Sequence, residues 1–204
     1  MNAQAYLSQD ALRARLLAAP PALPPSRSDY DLNPSIRPTV PRALAPAAVL
    51  VPVVARAEPT VLFTDRSETL PRHPGQVCFP GGRAHQDDDS LVRTALREMQ
   101  EETGIDPSFV TIAGFLSPYE TVTAYAVLPV VGLVREGFAL HPNAREVDGV
   151  FEVPLAFLID PASRQQQTRE WKGQKRRFYV FQYGTHYIWG ATAAILVDLA
   201  ERLA

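Results

Sequence analysis

FPGGRAHQDDDSLVRTALREMQEETGI, residues 79–105, decides how the rest of the chain is read. An apolar residue, a proline and two glycines lead into the acidic turn Asp87-Asp88-Asp89, and a helical pattern follows. The helix ends in Glu98, Glu101 and Glu102 and is closed by Gly104. At ~100° per residue Glu98 and Glu102 share one stripe, about 40° apart, with Glu101 about a quarter-turn away. Leu91, Val92, Ala95, Leu96 and Met99 fill the adjoining arc, so one side of this helix can enter a core. Like charges at i,i+4 cost a helix roughly 0.2–0.5 kcal/mol, and Glu98/Glu102 is such a pair. Arg97 reaches Glu101 at i,i+4, while no cation stands at that spacing from Glu98 or Glu102. A hard divalent cation would relieve the repulsion, since Mg²⁺ sits on one or two carboxylates plus substrate phosphates. A solvated acidic face is the other reading, and the helix alone leaves both open.

The 204 residues suit one compact domain with terminal additions. Hydrophobic residues at 46% and charged residues at 21% fit a globular chain with a sizeable core. A net charge of -2 gives no general attraction to nucleic acid or anionic membranes. The single cysteine, Cys78, excludes an internal disulfide and reads as a small strand residue in a reducing compartment. No apolar run approaches the ~20 residues of a membrane span. Asp10, Arg13 and Arg15 interrupt the N-terminal apolar stretch, so a cytoplasmic location is expected.

Ser8 or Asp10 can cap a first helix with Leu12, Leu16 and Leu17 on its apolar side. Pro20–Pro46 holds eight of the 19 prolines and reads as an extended arm, wrapping the domain or touching a second subunit of a homodimer. Residues 1–46 are therefore separated from a domain at 47–204. Ala47–Ala55 is a β-branched strand in which Pro52 suggests an edge or bulge. Further strands are expected at Thr60–Thr64, Gln76–Phe79, Val110–Phe115, Ala124–Val134, Val150–Val153 and Arg176–Tyr183. Gln165–Lys175 reads as polar and turn-rich, and Tyr187–Leu203 as a closing helix. Strands on both sides of a central helix indicate an α/β sandwich with a mixed sheet.

The glycine pair lacks the context of a P-loop or a dinucleotide fingerprint. Taken whole, however, Gly82 followed by Arg97-Glu98-Met99-x-Glu101-Glu102-x-Gly104-Ile105 resembles the Nudix hydrolase signature, G-x5-E-x7-R-E-U-x-E-E-x-G-U. Asp88 stands where that signature has its first Glu, with one extra residue before Arg97. Leu62–Gly82, LFTDRSETLPRHPGQVCFPGG, is similar to the additional motif of the coenzyme A pyrophosphatases through Leu62, Thr64, Ser67, His73, Gly75, Phe79, Pro80, Gly81 and Gly82, although Phe63 replaces a usual Leu. The resemblance runs over about Val49–Leu199. It implies a Nudix-type α/β/α sandwich with a catalytic helix after a Gly-Gly loop, and Mg²⁺- or Mn²⁺-dependent hydrolysis of a small-molecule diphosphate. Coenzyme A is the implied substrate, cut into 3′,5′-ADP and 4′-phosphopantetheine. ADP-ribose, NADH or a capped RNA end is the alternative, and a non-catalytic nucleotide-binding module a further one.

By the family pattern Glu98 and Glu102 are the first metal ligands and Glu101 the third, with Arg97 orienting the cluster through Glu101. The base is left among Glu98, Glu101, Glu120 and Glu146. Gly81 and Gly82 allow close approach of a diphosphate. Arg66, Arg72 and Arg83 are loop cations for the 3′-phosphate, for which the planar guanidinium is suited. His73 contacts substrate or holds its own loop. Asp88 is either functional or an N-terminal helix cap. Trp189, which with His186 lies at the start of the last helix, is expected in the core.

Overall fold

The computed structural model describes residues 9–22, 25–171 and 173–204, so the expected cap Ser8 lies outside the described residues. Helix α1, Gln9–Arg13, includes Asp10 within its first turn. Strand β1, Arg27–Ser28, comes next, and after it β2 at Ala45–Val54 and β3 at Thr60–Arg66. Two short strands, β4 at Val77–Cys78 and β5 at Gly81–Arg83, lead into α2, Leu91–Thr103. Strands β6 (Val110–Phe115), β7 (Tyr119–Glu120), β8 (Tyr125–Val134) and β9 (Val147–Pro154) follow. The chain closes with α3 (Leu155–Ile159), β10 (Arg164–Trp171), β11 (Gln174–Tyr183), β12 (His186–Trp189) and α4 (Gly190–Leu203).

Nine strands form one mixed sheet around β2, which runs parallel to β8 through ten residue pairs from Ala45/Tyr125 to Val54/Val134. The alternation of a strand sends successive side chains to opposite faces. Ala48, Leu50, Val54 and Leu62 accordingly pack with Ala95 and Met99 of α2. Ala47, Val51, Val53, Val61 and Phe63 meet Ile195, Leu196 and Leu199 of α4 on the other face. The α/β/α layering is as expected.

Three expectations change. Pro52 lies in the central strand, not at an edge: even-numbered residues of β2 turn their amides away from β8, as Leu50 does toward Pro80 O at 2.9 Å. On that side β5 pairs only residues 47–49 and β3 only 53–54, so the missing amide of Pro52 falls in the gap between two partners. Gln165–Lys175 is mostly strand: β10 and β11 pair continuously from Arg164/Phe181 to Trp171/Gln174 as a polar hairpin. The closing helix starts at Gly190, because His186–Trp189 pairs with β11 as β12.

The proline-rich segment wraps the domain. Arg27 and Ser28 pair in parallel with Tyr119 and Glu120, and Asn33 plugs an open stretch of β11. The Asn33 side chain accepts from Arg177 N at 2.7 Å and donates to Arg177 O at 2.8 Å, imitating a strand neighbour. Asp198 of α4 is 2% exposed and fixes the same arm through Arg27 at 3.1 Å.

Candidate active site

The helix that carries the carboxylates is bounded as its sequence demands. Ser90 is the N-cap, its hydroxyl accepting from Arg93 N at 3.2 Å, and Gly104 ends the helix in a left-handed conformation at φ 77°. Beyond it the loop folds back over the last turn: His141 N donates to Thr103 O at 2.8 Å and Asn143 N to Glu102 O at 3.1 Å. These bonds satisfy carbonyls that a helix end leaves open. They also carry Glu146, whose amide donates to Asn143 O at 2.8 Å and whose carbonyl accepts from Ser67 N at 2.9 Å.

Arg97 is the hub beneath the carboxylates. It forks onto Asp88, with Nε to Oδ1 at 3.0 Å and Nη2 to Oδ2 at 2.9 Å. Its Nη1 donates to Glu98 at 2.8 Å and to Glu101 at 2.9 Å. The i,i+4 spacing predicts the contact with Glu101; the reach to the adjacent Glu98 is added by the structure. Asp88 is not the helix cap, since Ser90 fills that place. It accepts from His85 N at 2.9 Å and Thr94 Oγ1 at 2.9 Å as well. The Arg97 guanidinium holds the Asp88 carboxyl well below the usual carboxylate range.

Above the hub, Glu98 and Glu102 converge on the glycines. Neither Gly81 nor Gly82 is a flexible loop residue; both lie in β5, opposite Val49 and Ala48. A Cβ at Gly81 would stand 2.7 Å from Val49 Cα, and one at Gly82 2.5 Å from Glu98 Cδ. Glycine is required here for close approach. Glu102 is 3% exposed, and its Oε2 is buried without a hydrogen-bond partner. Burial pushes its pKa up to about 8, with further upward pressure from Glu98 and Glu146 and relief from Arg66. Burial also raises Glu98, against the opposing pull of Arg97, and the charges of Glu101 and Glu146 add to the rise. Glu101 is different: its side chain is 50% exposed and turned to Arg97.

Whether these residues suit a divalent cation is tested by the orphaned oxygen. A buried carboxylate oxygen that lacks a partner is costly unless the group is protonated or bound to a cation. Among the described residues, no group of three His, Cys, Asp or Glu side chains converges closely enough to hold a metal unaided. The site offers two carboxylates, Glu98 and Glu102, on a glycine floor, which is the hard-oxygen set that Mg²⁺ or Mn²⁺ takes together with substrate phosphates. The residues fit.

Around the cluster the remaining candidates separate. Arg66 lies near enough for its charge to act on Glu102, and its Nε is buried without a partner. Cys78 sits on β4 beside Thr64, 3.2 Å from its hydroxyl; burial and the Glu102 charge push its thiol up to about 12, so it is no nucleophile. His73 is exposed, at φ 56°, with Nδ1 3.0 Å from Gln76 Oε1, and Arg72 is exposed on the same loop. Arg83 gives its carbonyl to Arg97 at 3.2 Å and leaves its own side chain exposed. Glu120 belongs elsewhere: it pairs with Arg42 at 3.3 Å and Arg37 at 3.9 Å of the arm. His186 stacks on Phe151 at 3.5 Å and lies 3.7 Å from Asp65. Trp189 is only half-buried, meeting Phe178 edge-on at 5.5 Å.

A glutamate helix seated against a glycine strand of a mixed sheet, with a second helix behind, defines a Nudix domain. Residues 44–174 match the NUDIX domain, and the chain belongs to that family. It is 43% identical over 157 residues to the uncharacterized Nudix hydrolase NudL of Photorhabdus laumondii, covering 77% of this chain and 84% of that one. NudL of Pectobacterium atrosepticum is 42% identical over 178 residues, 87% of this chain and 92% of the relative. Among solved structures, DR0079 from Deinococcus radiodurans shares the fold at a TM-score of 0.50 and 11% identity, over 79% of this chain and 86% of that one. The protein is a Nudix hydrolase.

Proposed function

We propose that this Nudix hydrolase cleaves the diphosphate of coenzyme A, yielding 3′,5′-ADP and 4′-phosphopantetheine. One observation carries the reading. The Leu62–Gly82 segment, which resembles the coenzyme A pyrophosphatase motif, is joined to the carboxylate cluster at both ends. Arg66 acts on Glu102 and Ser67 binds the Glu146 carbonyl at one end, and Gly82 floors Glu98 at the other. Mg²⁺ or Mn²⁺ held by Glu98 and Glu102 would neutralise the diphosphate oxygens. Glu146 is the base in this reading, because Glu98 and Glu101 are tied to Arg97 and Glu120 is held at the arm. It takes a proton from the attacking water as the water oxygen bonds to phosphorus. The P–O–P bridge then breaks and its electrons leave with the departing phosphate. Arg66, whose charge acts on Glu102, would lend that charge to the substrate phosphates, and Arg83, Arg72 and His73 would serve the ends of the ligand.

A panel of coenzyme A, its acylated and oxidised forms, ADP-ribose and NADH, with products identified by mass spectrometry, tests the assignment. Coenzyme A forms should be preferred, and ADP-ribose turning over far faster would overturn it. Glu146→Gln should lower kcat ~100-fold or more while Mn²⁺ affinity changes little. An equal loss of both would make Glu146 a ligand instead.

A further inference from the structure

Strand β10 is the outer edge of the three-stranded sheet β10-β11-β12. Its eight residues hydrogen-bond in unbroken register to β11 on one side, and Arg164–Glu170 are all exposed. Every second residue therefore presents an amide and a carbonyl outward. Edges of this length are usually blunted by proline, a bulge, charged side chains (lysine above all) or a covering segment, and the charges here, Arg164, Arg169 and Glu170, are of both signs. The sequence RQQQTREW holds no proline and no lysine, and the pairing shows no bulge.

We propose that β10 pairs with β10 of a second copy, antiparallel and centred on Gln167, giving a six-stranded sheet across a two-fold axis. That register is self-complementary, as a two-fold interface requires. It sets Arg164 opposite Glu170, Gln165 opposite Arg169, Gln166 opposite Thr168 and Gln167 opposite itself. On one face Glu170 then stands between its own strand neighbour Lys175 and Arg164 of the other copy. No like charges meet across the two-fold seam. Shifting the centre by half a residue pairs Gln165 with Glu170 and Gln166 with Arg169, and the opposite-charge matches are lost. Arg164 is 3.5 Å from Glu201 of α4 and lies over the Tyr179 ring of β11 at 5.8 Å, so it must turn outward from these contacts to meet Glu170 of the second copy. A single strand pair buries less than the ~800 Å² per partner of a standard interface, so the dimer forms reversibly.

Sedimentation velocity on the full chain, over a series from low to high micromolar concentration, should show a monomer–dimer equilibrium. Glu170→Arg, which places arginines opposite each other twice per dimer, should weaken it about tenfold or more. Adding Arg164→Glu to that variant should restore it. Gln167→Cys should cross-link to a covalent dimer on oxidation, since two-fold symmetry brings identical residues together. Melting curves verify that each exposed variant is folded, and turnover per chain should not change because β10 carries none of the proposed ligands, base or substrate cations. A monomer at every concentration overturns the proposal. So does a dimer indifferent to the charge exchange, or capture of β10 by the edge strand of another protein with no self-association.

Discussion

At Gly82 the absence of one carbon makes the site. The Glu98 carboxylate occupies the volume that a β-carbon would take, so Gly82→Ala must displace either β5 or the glutamate. Overpacking of that kind costs ~1–3 kcal/mol, and here it also displaces a proposed metal ligand. We expect Mn²⁺ binding, followed by paramagnetic titration, to weaken sharply while the circular dichroism spectrum is unchanged. Glu102 supplies a second test. Its folded-state pKa of about 8 lies above the ordinary 4.5, so between those values the metal-free folded protein holds a proton that the unfolded chain releases. Stability then falls as pH rises through that window. Chemical denaturation across this range should show the slope in the wild type and a flatter line in Glu102→Gln. Mg²⁺ or Mn²⁺ should reverse the slope by replacing the proton. A wild type whose metal-free stability rises steadily with pH would refute the assignment.

At the scale of elements, α2 is more than a scaffold for three glutamates. Its orientation is locked by the Arg97 fork, which ties the helix to the acidic turn at Asp88 and to the β5 strand through Arg83 O. Lysine carries the charge but not the planar fork. Arg97→Lys should therefore leave the melting temperature nearly intact and lower kcat on the order of 100-fold through misplacement of the proposed ligands. Much of this element was legible beforehand. The Gly104 boundary, the buried arc of Ala95 and Met99, and the Glu98/Glu102 stripe follow from 3.6-residue periodicity and capping chemistry, whereas the cap offered by the sequence was Asp88 and the structure uses Ser90. The role of Asp88 was not legible, because it depends on how the turn at His85–Ser90 folds back along the helix. Strand β10 was not legible either, although most of β11 was: polar residues on an exposed ribbon show no apolar alternation, so Gln165–Lys175 read as a loop.

Across the whole molecule, the arm and α4 form one structure around Asp198. Its carboxylate accepts from Ser117 N at 2.7 Å and meets Arg202 at 3.3 Å as well as Arg27. Asp198→Ala removes these partners from a buried position and leaves the Ser117 amide unpaired. A loss of ~2–3 kcal/mol is expected from charged hydrogen bonds of this kind, measured by urea denaturation, with kcat little changed because the arm lies on the α4 face. An equal loss of activity would show that the arm reaches the catalytic side.

The sequence by itself determined the helix of glutamates, the glycine pair beside it, the family and the α/β/α layering, because each rests on short-range spacing and alternation. Tertiary structure alone decided that Pro52 can lie in a central strand and that the arm wraps the domain. It also decided that Glu120 is bound at the arm while Glu146 lies with Glu98 and Glu102. Those outcomes depend on which distant segments meet. Glu146 arrives because the loop after β8 must satisfy the open carbonyls at the end of α2, a debt between backbone groups more than 40 positions apart in the chain at Glu102 and Glu146.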